Sequence, residues 1–118
     1  MKIKLNLKPD EPSVNGRIYP KDIIEREIIS KEVPVYLGIG TGELNILDDL
    51  VGFAKSEINE KNEIVCEIKL LSSNAAKIFS TMPPSGYDYT IKGIGEVTDN
   101  IVSDFKCSSI NVIDKEGE

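Results

Sequence analysis

The 118-residue chain has no histidine, no tryptophan and only two cysteines. Without an imidazole, catalysis in which a histidine takes the proton of a serine or cysteine is excluded. Without tryptophan, the core must be built from Ile, Leu and Val with a few Phe and Tyr. Cys66 and Cys107 are far apart and form no Cys-x-x-Cys pair, so the usual zinc and redox signatures are missing. Both fall in strand-like patterns that suit a small apolar thiol, and they read as reduced cysteines in a packed interior, with a disulfide or a metal site as the alternative. No apolar run approaches the ~20 residues that span a bilayer. The opening MKIKLNLK alternates polar and apolar residues and does not read as a signal peptide. Positive charge is also short. Fourteen Lys and Arg stand against 20 Asp and Glu, for a net charge of −6. That disfavours nucleic acid, which needs clustered cations. The acidic residues are scattered and serve solubility. The expectation is a protein with no nucleic-acid partner, no membrane partner, no cofactor and no metal.

What is present suffices for one core: 40% of the residues are hydrophobic. Residues 2–8 alternate strictly, which predicts a half-buried strand with Ile3, Leu5 and Leu7 inward. Residues 9–16 are turn formers. Pro20 suits the first turn of a helix over 21–30, with Ile23, Ile24, Glu27 and Ile28 on one face. Residues 33–37 form a short apolar run that Pro34 restricts to an edge or to the start of a strand. Residues 51–71 read as a β-hairpin about a turn at 59–62. Val51, Phe53 and Ile58 are expected inward on its first strand, and Ile64, Cys66, Ile68 and Leu70 on its second. Residues 74–81 read as a helix capped by Asn74. Residues 87–97 form a strand in which Gly93 and Gly95 imply a bulge or a close backbone approach. After a turn at Asp99-Asn100, residues 101–113 form the last strand or pair of strands. The order is strand, helix, strand, hairpin, helix, hairpin. It predicts an α+β fold, a small, mostly antiparallel and partly open β-barrel with two short flanking helices.

Few motifs carry chemistry. Gly38-Ile39-Gly40-Thr41-Gly42 looks like a phosphate loop. It is followed by Glu43-Leu44-Asn45 rather than by a helix, and no Gly-Lys-Ser/Thr is present. Glu43, Asn45, Asp48 and Asp49 form an acidic group whose spacing matches no EF-hand, and a solvated loop accounts for it. Ser72, Ser73, Ser108 and Ser109 are hydroxyl candidates that would need a lysine base, from Lys69, Lys77, Lys92 or Lys106. No carboxylate pair stands out for hydrolysis. Tyr87 and Tyr89, beside the Pro83–Gly86 turn, are candidate binding anchors; tyrosines packed at a strand start are the plainer reading.

Three stretches together resemble the tailed-phage prohead protease family, the enzymes that mature phage capsids. They are Asn15-Gly16-Arg17-Ile18-Tyr19-Pro20 before a short helix, Gly42-Glu43-Leu44-Asn45 leading to Val51-Gly52-Phe53 and a hairpin, and Phe105 to Ile113. The resemblance spans residues 13–113. It implies the β-barrel with flanking helices shared by the prohead and herpesvirus assembly proteases. It also implies an inactive homologue of a serine protease, because each catalytic position is replaced. The histidine that follows the family's Gly-Glu-Leu-Asp is Ile46 here. The serine of its Ser-Ser-Arg-Gly falls at Thr90 or Ile91, in Thr90-Ile91-Lys92-Gly93. The aspartate of its Ile-Asp-Leu-Val is Asn111.

The reading that follows is one domain over residues 1–113 with a polar tail at 114–118, and no catalytic residue. The expected role is that of a non-enzymatic phage structural or assembly protein, in the virion or host cytoplasm and not secreted. Its partners would be capsid or other virion proteins, or further copies of itself. The alternatives are a protein-binding regulatory or inhibitor module and, third, a hydrolase with a Ser–Lys or carboxylate site. Residues 46, 90–91 and 111 are expected to meet in space.

Overall fold

A computed structural model describes residues 2–13, 16–37, 49–81 and 86–114. The elements are β1 (Lys2–Lys4), α1 (Lys21–Ile24), a π-helical turn (Glu25–Ile29), β2 (Val33–Leu37), β3 (Leu50–Ile58), β4 (Ile64–Leu70), α2 (Asn74–Thr81), β5 (Tyr87–Thr98) and β6 (Ile101–Asp114). The fold class is α+β. Among the described residues, six strands form one mixed sheet in the order β1-β4-β3-β2-β6-β5, and of their pairings only β2–β6 is parallel. The sheet curls into a half-barrel. The chain after β1 links its two ends: the Leu5 N–H bonds to the Ile64 carbonyl of β4, and the Asn6 N–H to the Tyr89 carbonyl of β5, each at 3.0 Å. The alternation of residues 2–8 therefore holds, with Ile3, Leu5 and Leu7 all buried, although only Lys2–Lys4 pair as a strand.

The first helix forms as expected, and Ile23, Ile24, Glu27 and Ile28 are its buried face. Pro20 precedes it, and the Asp10 carboxylate accepts the Lys21 N–H at 3.0 Å. The second turn widens, so that the Ser30 N–H reaches the Glu25 carbonyl five residues back. In α2 the cap is Ser73 rather than Asn74. The Ser73 hydroxyl accepts the Ala76 N–H at 3.0 Å and donates to the Leu50 carbonyl at 2.8 Å, which ties the helix start to β3. Asn74 is the first helical residue.

The hairpin of β3 and β4 forms about the Asn59–Asn62 turn, but two of its side chains face the other way or lie open. Phe53 is 37% exposed. Val35 pairs with Gly52 and Tyr36 with Leu50, so Val51 is an extra residue in the ladder. This bulge resets the alternation, and Gly52, Ala54 and Ser56 become the inward set. Leu70 keeps its inward parity but ends the ladder opposite Gly52 and is 39% exposed.

Strand β2 lies inside the sheet. Pro34 is tolerated because the parallel ladder with β6 begins only at Val35, so the missing N–H falls before it. Residues 101–114 are a single strand. The two-residue turn Asp99-Asn100 has φ of 51° and 66°, as a tight hairpin of this twist requires. The irregularities expected at Gly93 and Gly95 are present, and the extra residues lie opposite them in β6. Lys92 pairs with Ser109 but Gly93 with Cys107, and Ile94 with Lys106 but Glu96 with Ser103.

Candidate functional site

Antiparallel pairing of β5 with β6 brings the aligned positions 90 and 111 together. Thr90 and Asn111 are direct cross-strand partners, Ile91 faces Ile110, and Lys92 faces Ser109. Asn111 is also in register with Tyr36 of β2. The Ser109 hydroxyl donates to the Asn111 side-chain carbonyl at 3.1 Å, and the Ser108 hydroxyl to the Lys92 carbonyl at 2.9 Å. Thr90, Lys92, Ser109 and Asn111 thus form a polar row on one face, with Tyr89, Ile91, Ile110 and Val112 behind it on the other. Ile46, the third aligned position, lies outside the described residues, as do Glu43, Asn45, Asp48 and the glycines of 38–42. Asp49 is described and half-buried.

The row offers hydroxyls, an amide and an ammonium. An amide cannot take a proton from a serine. A lysine base requires burial to favour its neutral form. Lys92 is exposed, as are Lys69, Lys77 and Lys106, and Ser73 is committed to the α2 cap. On the opposite face from most of the row, along Ile91, Gly93 and Gly95, is a cavity of about 270 Å³ whose lining also includes Arg17, Tyr19, Lys92 and Phe105. Tyr19 and Phe105 meet edge to face at 5.5 Å there. Among the described residues no group of three or more Cys, Asp or Glu could hold a metal ion. No helix among them is long and apolar enough to cross a membrane.

Tyr89 is buried and packs edge to face on Phe79, with ring centroids 6.3 Å apart; Tyr87 is half-buried against the same core. Burial raises the Tyr89 hydroxyl above its ordinary pKa, and Tyr87 adds to this. The turn residues 82–85 lie outside the described residues. Both cysteines are free and buried. Desolvation raises the Cys66 thiol and pushes Cys107 up to about 11, which keeps both in the unreactive thiol form.

Glu27 has a role that periodicity alone does not disclose. It sits among the buried isoleucines of the first helix, and its carboxylate accepts from Lys31 Nζ at 3.0 Å, the Cys107 backbone N–H at 3.2 Å and Arg26 Nε at 3.3 Å. Arg26 also reaches the Phe105 carbonyl at 3.5 Å. The helix is thereby fastened to β6 where that strand is irregular, beside Asp104 with φ of 49°. The one sequence signal is an acid on an isoleucine face, which must find partners to be buried. The hydrogen bond from Lys31 is the main cause that lowers the Glu27 pKa, ahead of the Cys107 N–H and Arg26. Lys31 and Arg26 keep 43% and 55% of their side chains exposed, so water screens both pairs. A folded-state pKa below the unfolded one gives stability that is present above the unfolded value and lost as pH falls through the folded value. Glu27→Gln should therefore cost about 1 kcal/mol at neutral pH. The gap to the wild type should close as the pH falls below the ordinary carboxylate range. Urea denaturation at several pH values measures this, and a gap independent of pH would remove the ion pairs as its cause.

No family model, curated protein or solved structure matches the chain. Its class is defined by the fold of the described residues: α+β, with a six-stranded mixed sheet that curls into a half-barrel and short helices beside it.

Proposed function

We propose that this is a non-enzymatic phage structural or assembly protein, an inactive domain of the prohead protease type kept for its protein–protein contacts in the virion or during head assembly. The supporting observation is the pairing of Thr90 with Asn111. The motif alignment assigns these two positions, 21 residues apart, to one former catalytic site, and they are cross-strand neighbours without a nucleophile–base pair. The curled sheet with two short helices is compatible with the barrel of that family. A protease of this type needs a proton acceptor beside its nucleophile, and Asn111 with Thr90 supplies none.

The purified chain is expected to leave casein and phage scaffold protein intact, and its gene to lie among capsid, portal and terminase genes. Cleavage that disappears in Thr90→Ala would refute the proposal. A gene set without head proteins would favour a regulatory or inhibitor module instead.

A further inference from the structure

The two edges of the sheet are built differently. Strand β1 is three residues long and turns Lys2 and Lys4 to solvent, which guards an edge against pairing. Strand β5 is 12 residues long, and both irregularities of its hairpin put the extra residue in β6, so β5 itself runs regularly. The Tyr89 carbonyl points away from β6, because it accepts the Asn6 N–H. Strand alternation then turns the N–H and C=O of Ile91, Gly93, Gly95 and Val97 outward as well. Thr98 and Ile101 flank the two-residue turn as an inward-bonded pair, which fixes the same parity from the other end. Among the described residues nothing bonds to this outer side beyond Tyr89. Ile94, at its middle, is 84% exposed.

We infer that the outer edge of β5 pairs antiparallel with the same edge of a second copy of this chain, about a two-fold axis at Ile94. The charges choose both the partner and the register. Outward-bonding residues must meet outward-bonding residues, so the register can shift only in steps that keep this parity. Centred on Ile94, Lys92 of each copy faces Glu96 of the other, Ile91 faces Val97, Gly93 faces Gly95, and Thr90 faces Thr98. Centred on Lys92, the two lysines would oppose each other. Centred on Gly93 or Gly95, Ile94 would face Lys92 or Glu96, and neither charge would find its opposite. In the Ile94 register every outward N–H and C=O from Ile91 to Val97 is paired, and both charges are matched twice by symmetry. Lys92 and Glu96 could instead be read as guards of a solitary edge. Their placement at equal distances on either side of an exposed isoleucine, with opposite signs, makes them attractive to a symmetry mate. The inference stands on this edge alone and does not depend on a role in phage heads.

Sedimentation equilibrium over the micromolar range is expected to show a dimer. Lys92→Glu and Glu96→Lys, each at an exposed position, should each weaken it about tenfold or more, since two attractive pairs become repulsive. The double variant should restore it. Ile94→Cys should form a disulfide between copies under mild oxidation, because residues at the axis form a non-hydrogen-bonded pair about 4.5 Å apart between Cα atoms, within disulfide reach. The two native cysteines are buried and do not compete. A wild-type chain that stays monomeric overturns the inference. So does a dimer indifferent to both single reversals, a double variant that fails to recover, or an Ile94→Cys variant that does not cross-link.

Discussion

Phe79→Ala is expected to destabilise the protein by about 4 kcal/mol. Helix α2 has eight residues, and two turns are not stable alone in water. Its buried face consists of Ala75, Ala76 and Phe79, so Phe79 supplies nearly all the apolar area that holds it to the sheet. The ring is 2% exposed and meets Tyr89 at an interplanar angle of 88°, which fixes both the depth and the direction of the helix. Truncation removes the transfer energy of the ring and opens a cavity against β5. The short helix cannot fill it without leaving its Ser73 cap. A domain of this size is stable by roughly 6–18 kcal/mol at the usual 0.05–0.15 per residue. The variant should therefore fold, with a much lower urea midpoint and α2 amides that exchange with solvent well before those of β3. Phe79→Leu, which keeps most of the volume, should cost about 1.5 kcal/mol. A loss under about 1 kcal/mol for the alanine variant would mean that the helix is held by something other than this ring.

The same segment shows what the sequence discloses. The alternation of Ile64, Cys66 and Ile68 and the spacing of Ile23, Ile24 and Ile28 give the right elements in the right order, because each pattern is local and repeats the period of its own backbone. Asn74 and Ser73 are both good caps. Which one serves depends on the Leu50 carbonyl of β3, a contact remote in sequence. The outward turn of Phe53 follows from one extra residue at Val51, and Leu50-Val51-Gly52-Phe53 does not say which residue the ladder will skip. The central place of β2 depends on a parallel pairing with β6, about 75 residues away (Val35 with Ile110), and on Pro34 falling just before that ladder starts. At the candidate site, the hairpin that brings β5 to β6 is legible in its Asp99-Asn100 turn, but a regular ladder from that turn would set Thr90 opposite Ser109, and the two extra residues of β6, which move it to Asn111, are not legible. Of the partners of Glu27, Lys31 and Arg26 are close in sequence, and only the Cys107 N–H of β6, 80 residues away, lies beyond what a local pattern discloses.

Gly52→Ala is expected to cost about 3 kcal/mol, at the upper end for added volume in a packed site. Gly52 follows the bulge and is paired on both sides, with Val35 of β2 and Leu70 of β4. A methyl group there would fall against the Lys69 carbonyl oxygen well inside contact distance, and 3.0 Å from its carbon and 3.2 Å from Leu70 Cα. All three are backbone atoms held by the β3–β4 ladder, so no side chain can swing aside and the strands themselves must part. Gly16→Ala is the matching control. Gly16 has φ of +83°, which an L side chain resists, but nothing lies within 4 Å of the added carbon. That variant should lose only about 1 kcal/mol, from conformation alone. Urea midpoints of the two variants separate crowding from backbone strain. If Gly52→Ala loses no more than Gly16→Ala, the end of the β3–β4 ladder can open cheaply. The bulge at Val51 would then be a flexible joint in the sheet rather than a fixed bend.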